Sequence, residues 1–396
     1  MYTKYMNFRI YQISRNVLIT TFTLCLSTSF AQQTDDAAIW SDSVVQTEDE
    51  GPAILIIPMQ GQMHTDIHHD VLVPLKDRIK ESKPDYILIE MLSRDWRNGF
   101  HQLMGWGDRF EFSGYVKDDI MEIAKLFHVE LKEFNQVMWV QDASGASSIL
   151  ALSWPTLYMS QDGYLHATMG LSRQFDYIKA DDTHGKIREA VLAHLKALAL
   201  YGNRYQELLR AFGDPEVPLS GTWKGKEVVW EESLNGDFII DRGEGMPHLS
   251  ASTAAEVGIS KGNVRTRNDV LLAMGIREYH LVGEDITEEI NNSTTIWRDN
   301  FEKACDAWLD AEQYARWATG EDTARYMRKQ ISELQRLLKM MKKSSPVEMR
   351  ISWKYKIRIA SLEKMIEQLK EQLDNIREGG NGGGGGGRGP GGGGRG

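Results

Sequence analysis

Cysteine is nearly absent from this 396-residue chain, which holds only Cys25 and Cys305. That excludes a disulfide framework and a zinc site built on thiolates. Basic excess is missing too. The formal net charge is −10, and phosphate binding needs a basic face, so nucleic acid is excluded as the main partner. Long hydrophobic runs are also lacking. The apolar core near the start, Val17–Leu26, is too short for a comfortable transmembrane helix. What is present, 41% hydrophobic and 26% charged residues, describes a soluble globular protein with one large domain or two ordinary ones.

The first 31 residues read as a secretory signal. A basic region ends at Arg15, the apolar core follows, and Ser29-Phe30-Ala31 places small residues where cleavage requires them. Leu24 precedes Cys25 where a lipid-attachment site needs a small residue. The expectation is export, to the periplasm or another extracytoplasmic space, with Cys305 the single remaining thiol. Residues 32–52 are polar and acidic and read as a flexible linker.

Ala53–Pro58 (AILIIP) and Tyr86–Glu90 (YILIE) are short continuous apolar runs, the mark of buried strands. Asp66–Ser82 between them has helical spacing, so the pattern predicts a parallel α/β layer. Val116–His128 is an amphipathic helix leading into a strand at Gln136–Val140. The chain then turns at Asp142-Ala143-Ser144-Gly145-Ala146. A short apolar helix, Ser147–Ser153, and a strand, Thr156–Met159, follow. A serine on such a turn exposes its hydroxyl, and the helix N-terminus favours developing negative charge. The same small residues also serve packing and capping.

Helices are expected at Lys186–Leu200 and Tyr205–Phe212. Glu227–Trp230 and Asp237–Ile240 read as a hairpin across Leu234-Asn235-Gly236. Ser250 or Ser252 caps a helix that stops at Gly258. Beyond Gly283 the character changes. Ile286–Ala318 is helical and rich in Trp. Met327, Ile331, Leu334, Leu338 and Met341, then Ile359, Leu362, Ile366, Leu369, Leu373 and Ile376, step by threes and fours on either side of Ser344-Ser345-Pro346. These are a/d seams of an antiparallel helical hairpin or a coiled-coil dimer. Gly379–Gly396 is nearly all glycine and reads as a disordered tail. His64, His68 and His69 sit among Asp66 and Asp70. His64 and His68 are four apart, as metal ligands on a helix are; a partly exposed polar helix turn is the simpler reading, and no metal is assigned.

Four stretches carry a family resemblance: AILIIPMQGQM at Ala53–Met63, DASGASSILALSWPTLYMS at Asp142–Ser160, GKIREAVLAHLKALALYGNR at Gly185–Arg204, and LSASTAAEVGISKGNV at Leu249–Val264. In their order and spacing the chain resembles the ClpP/crotonase-like superfamily over roughly Ala53–Val282. Within it, the chain is similar to the exported S49-type serine peptidases that include signal peptide peptidase A and the NfeD membrane-bound proteases. The resemblance implies an α/β fold, a ClpP/crotonase-like parallel β-sheet spiral with helices over residues 53–283. To this the seams add a C-terminal α-helical coiled-coil extension over 284–378.

By the same resemblance Ser144 matches the nucleophile and Lys186 the general base. A lysine is protonated at neutral pH with a pKa of about 10.4 and accepts a proton only where burial lowers that value. His166, a little over twenty residues beyond Ser144, is the alternative base, with Asp181 or Asp182 to orient it. Ser147 is a fallback nucleophile and Gly145 an oxyanion-hole candidate. The chain departs from the family after its second strand. A small-residue turn with a glycine pair normally supplies oxyanion donors there, whereas this chain has Met91-Leu92-Ser93-Arg94-Asp95-Trp96. One lost donor costs roughly two to three powers of ten in rate. The expected activity is hydrolysis of a peptide or protein substrate without a cofactor, in a homo-oligomer with a coiled-coil partner. A membrane enters only through an uncleaved signal or a partner. The competing class is a catalytically inactive scaffold on the same fold; a crotonase-type acyl-CoA enzyme ranks third, because an exported protein does not meet CoA.

Overall fold

The computed structural model describes residues 44–93, 114–167 and 181–381, apart from 49, 215 and 246. The signal segment, most of the linker, the turn from Arg94 onward and the tail past 381 lie outside the described residues. Strands β1 (Val45–Gln46) and β2 (Ala53–Gln60) come first. Short helices α1 (His69–Leu72) and α2 (Lys76–Glu81), β3 (Tyr86–Ser93) and α3 (Gly114–Lys125) follow. Next are β4 (Asn135–Ser144), α4 (Ala146–Leu152), β5 (Leu157–Ser160), β6 (Tyr164–His166), α5 (Asp181–Tyr201) and α6 (Gln206–Gly213). Strands β7 (Leu219–Lys224), β8 (Glu227–Glu231), β9 (Phe238–Asp241) and β10 (His248–Ser250) precede α7 (Ala251–Glu256), β11 (Asn263–Val264), α8 (Arg267–Ala273) and β12 (Glu278–Leu281). Four helices close the chain: α9 (Glu284–Trp317), α10 (Thr323–Lys343), α11 (Ser345–Tyr355) and α12 (Ile359–Asn381).

The main sheet runs β1-β12-β2-β3-β4-β5-β11, every neighbouring pair parallel. Both of its faces are covered, which is why its strands read as unbroken apolar runs. Leu55, Ile57, Ile87 and Ile89 face one core; Ile54, Ile56 and Leu88 face another with Val270 and Leu271 of α8. Strand β4 forks. Met138–Val140 pair with β5, while Ala143 and Ser144 turn to pair with Leu165 and His166 of β6, and β10 joins β6 antiparallel.

The long helix expected over Asp66–Ser82 is a correction. Residues 61–68 form a compact loop instead, and Pro74, which lacks an N–H, sits in a 3-10 turn that divides α1 from α2. The expected hairpin is corrected as well: β8 and β9 exist, but each pairs with β7. Gly225, at φ 69°, makes the turn between β7 and β8. A Cβ on Gly221 of β7 would lie 2.5 Å from the Phe238 ring, so the glycine that disguised β7 as a loop is what lets β9 close on it. The helix after Leu249 starts as expected, the Ser250 hydroxyl accepting the Thr253 N–H at 3.2 Å.

Most heptad-seam residues are buried within the chain, with Leu338, Ile359 and Leu369 partly covered and Ile376 exposed. Met327, Ile331, Leu334 and Met341 of α10 share one core with Leu362, Ile366 and Leu373 of α12, and with Trp297, Phe301 and Ala304 of α9. Lys342 near the end of α10 pairs with Glu363 near the start of α12. Helix α9 belongs to both bodies: Ile286 and Ile290 lie in the α/β core, Trp297 onward in the bundle. Among the described residues, no helix is long and apolar enough to cross a membrane.

Leu334→Ala or Leu362→Ala should cost about 2–5 kcal/mol as a buried cavity forms, whereas exposed Ile376→Ala should change stability by no more than about 0.5 kcal/mol. Urea unfolding measures both. A second expectation concerns His128, whose ring lies 4.4 Å from that of Trp154 and whose Nε2 meets Ser153 Oγ at 3.1 Å. Burial pushes its pKa down to about 4. The unfolded chain therefore takes up the proton first, so its contribution is whole above about pH 6.5 and falls as pH drops through 4. His128→Gln should flatten that acid limb in unfolding curves taken from pH 7 to 4.

Candidate functional site

Ser144 ends β4, is almost fully buried, and donates a long hydrogen bond of 3.4 Å to the Ser93 carbonyl at the end of β3. Gly145 follows at φ 62° and ψ −125°, a conformation essentially reserved for glycine. It turns the chain straight into α4, whose seven residues are all buried. Ser147, the second residue of α4, shares a 2.5 Å hydrogen bond with Ser93 Oγ, the packing role that its fallback assignment competed with. The Gly145 N–H, the oxyanion candidate, donates to the His166 carbonyl at 2.9 Å.

His166 is the sequence-predicted base that the structure brings to Ser144: the two are register partners on adjoining strands. Its ring lies 5.4 Å from Tyr164 and 6.3 Å from His248, a neighbour that sequence reasoning did not find. Lys186 lies in the early turns of α5 and is exposed. The buried side of α5 is instead Leu192, Leu195, Leu198 and Ala199. Residues 168–180, which lead into this helix, are outside the described residues.

A cavity of about 780 Å³ opens at the C-terminal ends of the central strands, where parallel α/β sheets hold their ligands. Gln60, Gly61, Gln141, Ser160, Asp66 and Arg298 contribute to its wall; Ser144, His166 and Lys186 do not. Asp66 is fixed there. Its Oδ2 accepts the Gln62 N–H at 2.8 Å, and its Oδ1 accepts Trp297 Nε1 and Arg298 Nη2, both at 3.0 Å.

Beside this wall the histidine cluster departs from the expected exposed helix turn. His64 and His68 are buried, and His64 holds a left-handed φ of 70°. Both converge on Asp119 of α3, fully buried and not singled out by sequence reasoning. Asp119 Oδ2 hydrogen-bonds His64 Nδ1; its Oδ1 meets His69 Nδ1 at 2.5 Å and accepts the His69 backbone N–H at 2.9 Å. Burial raises the Asp119 carboxyl, but the His64 and His69 hydrogen bonds outweigh it and hold the group well below the usual carboxylate range. The bond to Asp119 pushes His69 up. Burial, opposed by Asp119, pushes His68 down to about 4. His68 Nδ1 accepts the Asp70 N–H at 2.9 Å and so caps α1. Asp119 was hidden because it lies some fifty residues away, on a helix whose sequence shows only an ordinary amphipathic stripe.

No protein-family model matches the chain, and no curated protein sequence does. Solved structures similar to it include two mutants of the 1510-N membrane-bound stomatin-specific protease. The first has 16% identity and a TM-score of 0.36, covering 57% of this chain and 85% of that one. The second, in complex with a substrate peptide, has 15% identity and a TM-score of 0.35, covering 56% and 80%. A third is the 1510-N membrane protease specific for a stomatin homolog from Pyrococcus horikoshii, with 14% identity and a TM-score of 0.32, covering 56% and 79%.

Gly145→Ala forces a Cβ into a backbone conformation that costs about 1–3 kcal/mol. Thermal denaturation should show a lowered midpoint.

Proposed function

We propose that the chain is an exported serine-type peptidase with Ser144 as nucleophile. The observation that carries this reading is the strand–glycine–helix turn at Ser144, with a histidine as its register partner. A nucleophile needs a base within hydrogen-bond reach and donors for the developing oxyanion. The family resemblance assigns the base to Lys186; the β4–β6 register favours His166. Homo-oligomers and an extracytoplasmic site of action belong to the same proposal; a coiled-coil partner would need a face other than the seams, which pack within the chain.

A second reading has its own support. Lys186 is exposed rather than buried, and the Gly145 N–H is already bonded to the His166 carbonyl. Both favour an inactive scaffold on a peptidase fold.

Labelling with a fluorophosphonate serine probe separates the two. Wild type should label, and Ser144→Ala should abolish labelling. The base is whichever of His166→Ala and Lys186→Ala lowers labelling by about two to four powers of ten while leaving the unfolding midpoint in place. Absence of labelling in folded wild type rejects the peptidase reading.

A further inference from the structure

Three imidazoles and one carboxylate meet in a largely buried cluster that hydrolysis at Ser144 does not use. We propose that His64, His68 and Asp119 bind a divalent transition-metal cation of the zinc type, with His69 adjacent as a fourth donor. One donor atom from each of His64, His68 and Asp119 lies within 4.8 Å of the others, and all three side chains are buried. Donors around a tetrahedral zinc stand roughly 3.4 Å apart at bond lengths of about 2.0–2.1 Å. Binding an ion means opening the direct His64–Asp119 hydrogen bond and drawing the wider donor pairs, now within 4.8 Å, together by on the order of 1 Å.

The donor chemistry selects the ion. Two or three imidazoles with one carboxylate suit first-row transition metals, whereas magnesium and calcium take oxygen ligands. Hydrogen bonds alone do not close the cluster, because His68 Nε2 is buried without a partner among the described residues. The rings are gathered closely, with His64 to His68 centroids at 4.8 Å and His68 to His69 at 4.9 Å. The loop supplies His64 from a strained left-handed residue, a conformation that persists where its surroundings over-determine it. His69, with 29% of its side chain exposed, gives the ion a route in. Glu348 of α11, within electrostatic reach of His64, adds a second carboxylate near the pocket.

The proposal does not rest on the peptidase reading, and its test reads the metal directly. The purified full chain is stripped with a chelator, then titrated with Zn²⁺ by calorimetry and analysed for bound metal after dialysis. One ion per chain and a raised unfolding midpoint are expected. Asp119→Asn and His68→Gln should weaken binding by more than the about 10–100-fold that an outer hydrogen-bond partner is worth, while His194→Gln, half-buried on α5 and outside the cluster, should not. Should either variant fail to fold, Co²⁺ added to the stripped wild type still decides, since ligation by nitrogen and oxygen gives visible absorption bands that excess Zn²⁺ removes. Stripped wild type that takes up neither ion, or Asp119→Asn that keeps wild-type affinity, overturns the site and leaves an ion pair between Asp119 and an imidazolium.

Discussion

The carboxylate of Asp66 ties the molecule together. Through Trp297 and Arg298 it binds the loop after β2 to helix α9, and through the Gln62 N–H it folds that loop on itself. Asp66 is buried while Arg298 is half-exposed, so solvent screens the charge and the Trp297 and Gln62 hydrogen bonds hold the carboxylate as much as the ion pair does. The same loop presents Gln62 to fully buried Arg350 of α11 and His64 to Asp119 of α3. Helices from three separate parts of the chain thus depend on eight consecutive residues, 61–68, that have little regular structure of their own.

The serine turn depends on a different device. Strand β4 is shared between two partners, β5 along its middle and β6 at its end. The fork delivers Ser144 and His166 side by side at the point where α4 begins. Backbone pairing and a glycine at positive φ set where the serine sits.

Much of this architecture was legible. AILIIP and YILIE announce buried parallel strands because both of their faces are covered, and Ser144 could be placed on a strand-to-helix turn from its small neighbours. The cap at Ser250 and the break at Ser344-Ser345-Pro346 were equally readable, being local chemistry. What stayed hidden is non-local. Strand β7, with its serine and glycine, looks like a loop until Phe238 fills the space over Gly221. Strands β6 and β12 have only three and four residues, and each is defined by its neighbours. Helix α11 falls directly after the breaker that was read as a simple turn. The heptad seams fitted a hairpin or a dimer equally; the third face, supplied by α9, buries them within one chain. Asp119 could not be joined to the histidines by any spacing rule, since α3 reaches them only through the fold.

Among the described residues, helix α9 is the one element rooted in both cores. Its 34 residues make a rod about 50 Å long. Its first turns rest on the sheet, where the Thr287 hydroxyl donates to the Ile56 carbonyl at 2.7 Å, and its remainder carries the bundle. Such a rod works as a lever. A tilt of about 5° at the sheet moves the far end by roughly 4 Å over that length. In reverse, whatever grips the distal helices can pull on Trp297 and Arg298, and through them on the wall of the cavity and the histidine loop. The bundle and the sheet are thereby joined by one continuous helix, with no linker between them.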